Sequence, residues 1–107
     1  MASFGNYIKT HREEKGWSQT EFGAKVKINT PAVSKIENDH KKFPVGKLKL
    51  LAQLFELDYN QVKDLYFADK FAKEAFEYKC SDKIFKVAED QSTYIKAINA
   101  KQGKLKF

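Results

Sequence analysis

Ser18 and Glu21 stand three positions apart between Trp17 and Phe22, the arrangement of a capping box whose flanking apolar residues can close as a hydrophobic staple. A helix therefore starts at Ser18. A second start follows at Asn29-Thr30-Pro31. Asn29 or Thr30 can cap it, and proline suits a first turn, where its missing N–H would have no partner anyway. The helix between the two starts has room for roughly two turns. It must then reverse at Lys27-Ile28. Two such short helices cannot bury their apolar faces on one another alone, so the chain has to surround them with more helices.

The flanking sequence supplies them. A first helix is expected from about Phe4 to Lys15, with Phe4, Ile8 and His11 or Arg12 on one face and Gly16 as the stop. The second helix turns Phe22, Gly23 and Val26 inward, and Gly23 points to a close approach by a neighbouring helix. In the third, Val33 and Ile36 face inward while Thr30, Ser34 and Lys35 are left outside. A polar loop from Asn38 to Lys42 ends at Phe43-Pro44. A fourth helix, Val45 to Phe55, carries Leu48, Leu51, Ala52 and Phe55 at core spacing, and Asp58 can cap a fifth with Val62 and Leu65. No stretch alternates like a strand, so the fold class is all-α.

Beyond Tyr66 the pattern changes. Phe71, Ala75 and Tyr78 predict a separate helix from about Ala68 to Tyr78, and Ser81-Asp82 opens the longest one, to about Ala100. The expected organisation is a domain over 1–67, a helical extension over 68–100 and a mobile Gly/Lys-rich tail over 101–107.

Composition narrows the function. With 42% hydrophobic and 32% charged residues in 107, the chain is that of a folded domain. Its net charge of +6 favours a polyanionic partner, because neutralised phosphates release counterions. Arg12 is the only arginine, so arginine forks do not read whatever sequence is recognised. Cys80 stands alone, which excludes an internal disulfide and suits a reducing compartment. No charged and apolar leader opens the chain, and no apolar run approaches the ~20 residues that span a bilayer. A cytoplasmic protein without a membrane partner is expected. His11, His40 and Cys80 lie on separate elements, with no glycine-rich phosphate loop and no zinc-ligand spacing. Catalytic residues, metal, cofactor and small-molecule ligand are therefore expected to be none.

The stretch from Arg12 to Asn38 closely resembles the phage-repressor type of helix-turn-helix, the XRE/Cro family. The match falls on Arg12, Gly16, Ser18-Gln19, Phe22-Gly23, Val26, Ile28, Val33-Ser34, Ile36, Glu37 and Asn38. It implies a five-helix, lambda-repressor-like domain bound to double-stranded DNA, with the third helix in the major groove. On that reading Thr30, Pro31, Ser34 and Lys35 face bases, while Gln19, Asn29, Asn38, Lys41 and Lys42 face phosphates. Arg12 and Glu37 match the family's internal ion pair. The sequence departs from the family at Lys27 and Asp39, where glycine is usual. A left-handed backbone at Lys27 would cost about 1 kcal/mol.

The last helix has two readings. Its apolar stripe of Ile84, Val87, Ala88, Tyr94, Ile95 and Ile98, interrupted by Gln91, could cover the domain's own core or pair with a second chain. An amphipathic helix added to a complete five-helix domain favours a homodimer, whose two recognition helices would read half-sites about 34 Å apart in a near-palindromic operator. Gln91 either sets the register or lies at the edge. The segment Leu65 to Tyr94 is similar to tails of controller proteins from restriction-modification systems, which implies a transcription regulator of that kind. An antitoxin whose C-terminal helices bind a partner toxin is the alternative. A protein-interaction module that has lost DNA binding is a third reading.

Overall fold

The computed structural model describes residues 3–102. Among them the regular elements are all helical: α1 (Phe4–Glu14), α2 (Gln19–Val26), α3 (Thr30–Glu37), α4 (Leu48–Phe55), α5 (Tyr59–Glu77) and α6 (Ile84–Gln102), with a single 3-10 turn at Val45–Lys47. The chain divides into two packing units, one up to Lys70 and one from Phe71, so the division falls inside α5.

The first unit is organised around Phe55 at the end of α4. The Phe22 ring lies nearly parallel to it with centroids 5.6 Å apart, and Trp17 stacks at 6.0 Å. His11 adds a third ring at 5.4 Å. The two residues flanking the capping box are thus gathered on one aromatic partner from α4. Ile8, Val26, Leu51 and Val62 are fully buried around this stack, bringing α1, α2, α4 and α5 to one core. At its other end Tyr66 closes the core. Its hydroxyl donates to the Phe43 carbonyl at 2.8 Å, its ring meets Phe4 edge-on, and burial raises its pKa. This hydrogen bond pins the loop that follows α3.

Three element boundaries differ from those expected. Val45–Lys47 forms a 3-10 turn before α4 instead of its first α-helical turn. The helices expected on either side of Tyr66 are one continuous α5. No glycine or proline interrupts Tyr59–Glu77, and the change of pattern marks where the packing unit changes, not where the backbone breaks. Ser81 and Asp82 form a turn ahead of α6, their carbonyls accepting from Ile84 and Phe85, so the helix begins later than expected and runs on through Lys101 and Gln102. The rest of the expected tail, from Gly103, lies outside the described residues.

In the second unit, Phe71 on α5 meets Phe85 on α6 edge-on at 5.6 Å. Lys79, left-handed at φ 56°, ends the preceding helix as Cys80 N–H bonds back to the Ala75 carbonyl.

Candidate nucleic-acid interface

α2 is held at its start by a reciprocal pair of side-chain hydrogen bonds. Ser18 Oγ accepts from the Glu21 N–H, and the Glu21 carboxylate accepts from the Ser18 N–H, both at 3.0 Å. The hydrogen bond from the Ser18 backbone holds the Glu21 carboxyl below its ordinary pKa. At the other end Lys27 adopts φ 58°, ψ 47°, the left-handed conformation that favours glycine. Asp39, the second departure, also has positive φ, at 63°. Both turns keep their geometry without glycine.

Two contacts tighten the turn. A Cβ on Gly23 would run into the Ile28 carbonyl and sit 3.3 Å from a Val33 methyl, so the glycine admits the turn's own backbone as well as α3. The Lys47 ammonium donates to the Val26 and Lys27 carbonyls, placing a cation on the C-terminal end of α2. The role of Lys47 could not be read from spacing, because it depends on a contact across the fold. Gly5 is similar. A Cβ there would collide with the Ile36 carbonyl, so α1 lies flush against the end of α3.

α3 starts with the Asn29 side chain accepting from the Ala32 N–H at 2.9 Å, and the Thr20 and Thr30 hydroxyls lie 3.1 Å apart. Ala32, Val33 and Ile36 are buried. Beneath the helix, Arg12 donates from Nε and Nη2 to the two oxygens of Glu37 and from Nη1 to the Trp17 carbonyl. The bond to Glu37 raises the Arg12 pKa, so the guanidinium is charged throughout. The pair therefore ties α1, the start of α2 and α3 together.

Gln19 joins the same group. Its Nε2 donates to Glu37 Oε1 at 3.1 Å, leaving the second N–H of the amide for another acceptor. The residue expected at a phosphate is thus oriented by the buried ion pair, which sequence spacing did not reveal.

The outward face of α3 carries the residues expected to meet bases. Pro31 and Lys35 are exposed, and Thr30 and Ser34 half-buried. Asn38 donates from Nδ2 to the Ser34 carbonyl, and the His40 N–H bonds to the Lys35 carbonyl, so the loop folds back onto the end of α3 just before the exposed Lys41 and Lys42. Asn29, also exposed, stands at its N-terminal end. Hydroxyls, a lysine ammonium and apolar proline and threonine carbons are groups that discriminate base edges in a major groove.

A family model described as helix-turn-helix matches residues 8–61, a span containing this whole assembly. The chain belongs to this helix-turn-helix family. It is accordingly a DNA-binding, XRE-type transcription regulator, with α3 as the helix-turn-helix's second helix. The fold of the family member is also similar to that of a chain in a solved SinR protein/SinI protein complex: 23% identity, TM-score 0.50, covering 88% of this chain and 98% of that one. A search of curated proteins gives no match.

The residues expected at a dimer interface lie beyond the matched span, on α6. Ile84, Ala88, Ile95 and Ile98 are half-buried, and Val87, Gln91 and Tyr94 exposed. His11 sits between the rings of Tyr7 and Phe55, while His40 and Cys80 are exposed on separate loops. Among the described residues no helix is long and apolar enough to cross a membrane.

Proposed function

We propose that the protein is a homodimer that binds a near-palindromic operator in the cytoplasm and represses or times transcription. Each subunit lays α3 in the major groove of one half-site. The observation that carries this reading is the contrast between the two sides of α3. The inner side is fixed by Val33, Ile36 and the Arg12–Glu37 pair, and the outer side offers Thr30, Pro31, Ser34 and Lys35 to solvent. Rigid support beneath adaptable polar groups is what base readout requires. Gln19, Asn29, Asn38, Lys41 and Lys42 grip the flanking phosphates. Lys35, Lys41 and Lys42 supply the charge, and the oriented Gln19 amide fixes the register.

Dimerisation through the stripe of α6 doubles the contact and makes operator occupancy depend on protein concentration. The likeness of Leu65 to Tyr94 to controller tails supports a regulator working in this way. The antitoxin reading is favoured by one observation, the exposure of Phe76 and Tyr78 at the end of α5, at 87% and 75%. Aromatic rings so placed suit a protein partner.

Titrating the protein against the DNA upstream of its own gene, and against an unrelated duplex over a salt series, tests the proposal. A specificity ratio above ~10³ with steep loss of affinity as salt rises is expected. Weak binding of both duplexes alike would overturn it and turn attention to a protein partner.

A further inference from the structure

The apolar stripe of α6 reads the same in both directions. Counted from Gln91, apolar residues stand three, four and seven positions away on either side: Ala88, Val87 and Ile84 toward the N-terminus, Tyr94, Ile95 and Ile98 toward the C-terminus. The helix is continuous from Ile84 to Gln102. At about 100° per residue all seven positions share one face. In an isologous interface residue i meets j while j meets i. A stripe symmetric about its centre is therefore complementary to a copy of itself turned end for end.

We propose that α6 pairs antiparallel with α6 of a second copy, about a two-fold axis passing at Gln91. The proposal rests on the reading of the chain as a dimer through α6 and adds its direction and register.

Side-chain sizes select the direction. In the antiparallel register Ala88 faces the partner's Tyr94, the smallest residue of the stripe against its largest. Val87 faces the partner's Ile95, and Ile84 the partner's Ile98. A parallel pair would set alanine on alanine at one level and tyrosine on tyrosine at another, leaving a gap and a crowded layer. Val87 and Tyr94 are 50% and 59% exposed in the single chain, so both have surface to bury in such a pairing.

The one polar residue of the stripe also falls into place. On the axis each Gln91 carboxamide donates an N–H to the carbonyl of its copy, so neither amide is left unsatisfied. A single polar pair in an apolar seam penalises other registers. Charges do not oppose the arrangement. Lys86 and Lys96, five positions on either side of Gln91, lie about 140° round the helix from it and so face away from the partner. Lys86 already has Glu89 and Asp90 at 3.1 and 3.4 Å on its own helix.

The end of the stripe meets a receiving surface. Where α5 turns into α6, an open cleft of about 200 Å³ is lined by Ala72, Ala75, Phe76, Ile84 and Phe85 and also by Cys80, Ser81 and Asp82. The antiparallel register brings the partner's Ile98 to this end, where it can meet the apolar part of that lining, Ala72, Ala75, Phe76 and Phe85.

Cysteine pairs read the register directly, because a disulfide forms only where Cβ atoms come within about 3.5–4.5 Å. The full chain carrying Cys80→Ser is the parent, made with Ile84→Cys, Ile98→Cys or Gln91→Cys, one variant of each mixture bearing a tag. Under mild oxidation, mixed Ile84→Cys and Ile98→Cys proteins should give mainly the tagged–untagged disulfide. Either protein alone should stay largely uncrosslinked, and Gln91→Cys alone should crosslink. Symmetric crosslinking by Ile84→Cys alone would overturn the antiparallel direction. Sedimentation of the parent separates the two readings. A dimer that forms no mixed disulfide refutes this register and leaves dimerisation standing, whereas a monomer at micromolar concentration refutes both.

Discussion

Arg12 and Glu37 meet through two near-parallel hydrogen bonds, Nε to Oε2 at 2.7 Å and Nη2 to Oε1 at 3.0 Å, with both residues more than nine-tenths buried. Removing either partner strands the other charge away from water. Arg12→Ala should therefore destabilise the fold by about 3–5 kcal/mol, read as a lower midpoint in urea. The double variant Arg12→Met/Glu37→Leu should recover most of that loss, since apolar replacements leave no unpaired charge. Its DNA affinity should stay low, because Gln19 loses the carboxylate that orients it. A stability loss below ~1 kcal/mol in the single variant would mean that water reaches the pair.

Lys27 offers the opposite experiment. It is exposed, holds φ 58°, and contributes its carbonyl to Lys47, a bond that any residue there can make. Glycine relieves the Cβ crowding of the left-handed conformation, so Lys27→Gly should stabilise by about 1 kcal/mol and raise the urea midpoint without changing the slope. Unchanged or lower stability would show that the lysine side chain supports the turn in some other way.

These two sites also show what the sequence could and could not convey. The Ser18–Glu21 box, the Asn29 start and the Arg12–Glu37 pairing follow from local spacing or family resemblance, and the helices sit where those signals put them. Lys27 was legible as a left-handed position through its departure from glycine. The Lys47 cap on α2 and the Gln19–Glu37 bond were not, since each joins residues distant in sequence whose meeting depends on the assembled core. The boundary error in α5 has a related cause. Periodicity reports which face is buried, and that face changed between packing units while the helix continued.

The capping box makes stability depend on pH in a defined direction. The Ser18 backbone N–H bond lowers the pKa of Glu21 in the folded state. Its stabilisation is thus complete above the unfolded carboxylate pKa and is lost as pH falls through the lower, folded value. On acidification through that window the native protein should lose stability relative to Glu21→Gln, which keeps an acceptor but does not titrate. Parallel thermal melts of the two proteins measure the difference, and a constant gap from neutral to acid pH would exclude the assignment. Ser18→Ala, which removes the other half of the box, should cost about 1 kcal/mol.

Lys35 and Gln19 separate base reading from phosphate gripping. Lys35 stands exposed on the outer face of α3, where an ammonium reaches guanine O6 and N7. Lys35→Ala should weaken operator binding by about 1–3 kcal/mol and relax preference at one base position. Gln19 is neutral and sits at the start of α2, with one amide N–H held by Glu37. Gln19→Ala should weaken binding to all duplexes about equally and leave the salt slope nearly unchanged, because a neutral donor releases no counterion. Competition binding of both variants against a panel of single-base operator changes, at two salt concentrations, distinguishes the roles. If Lys35→Ala lost affinity uniformly and its salt slope fell by about one unit, Lys35 would be a phosphate contact. Base discrimination would then pass to the smaller groups of Thr30, Pro31 and Ser34.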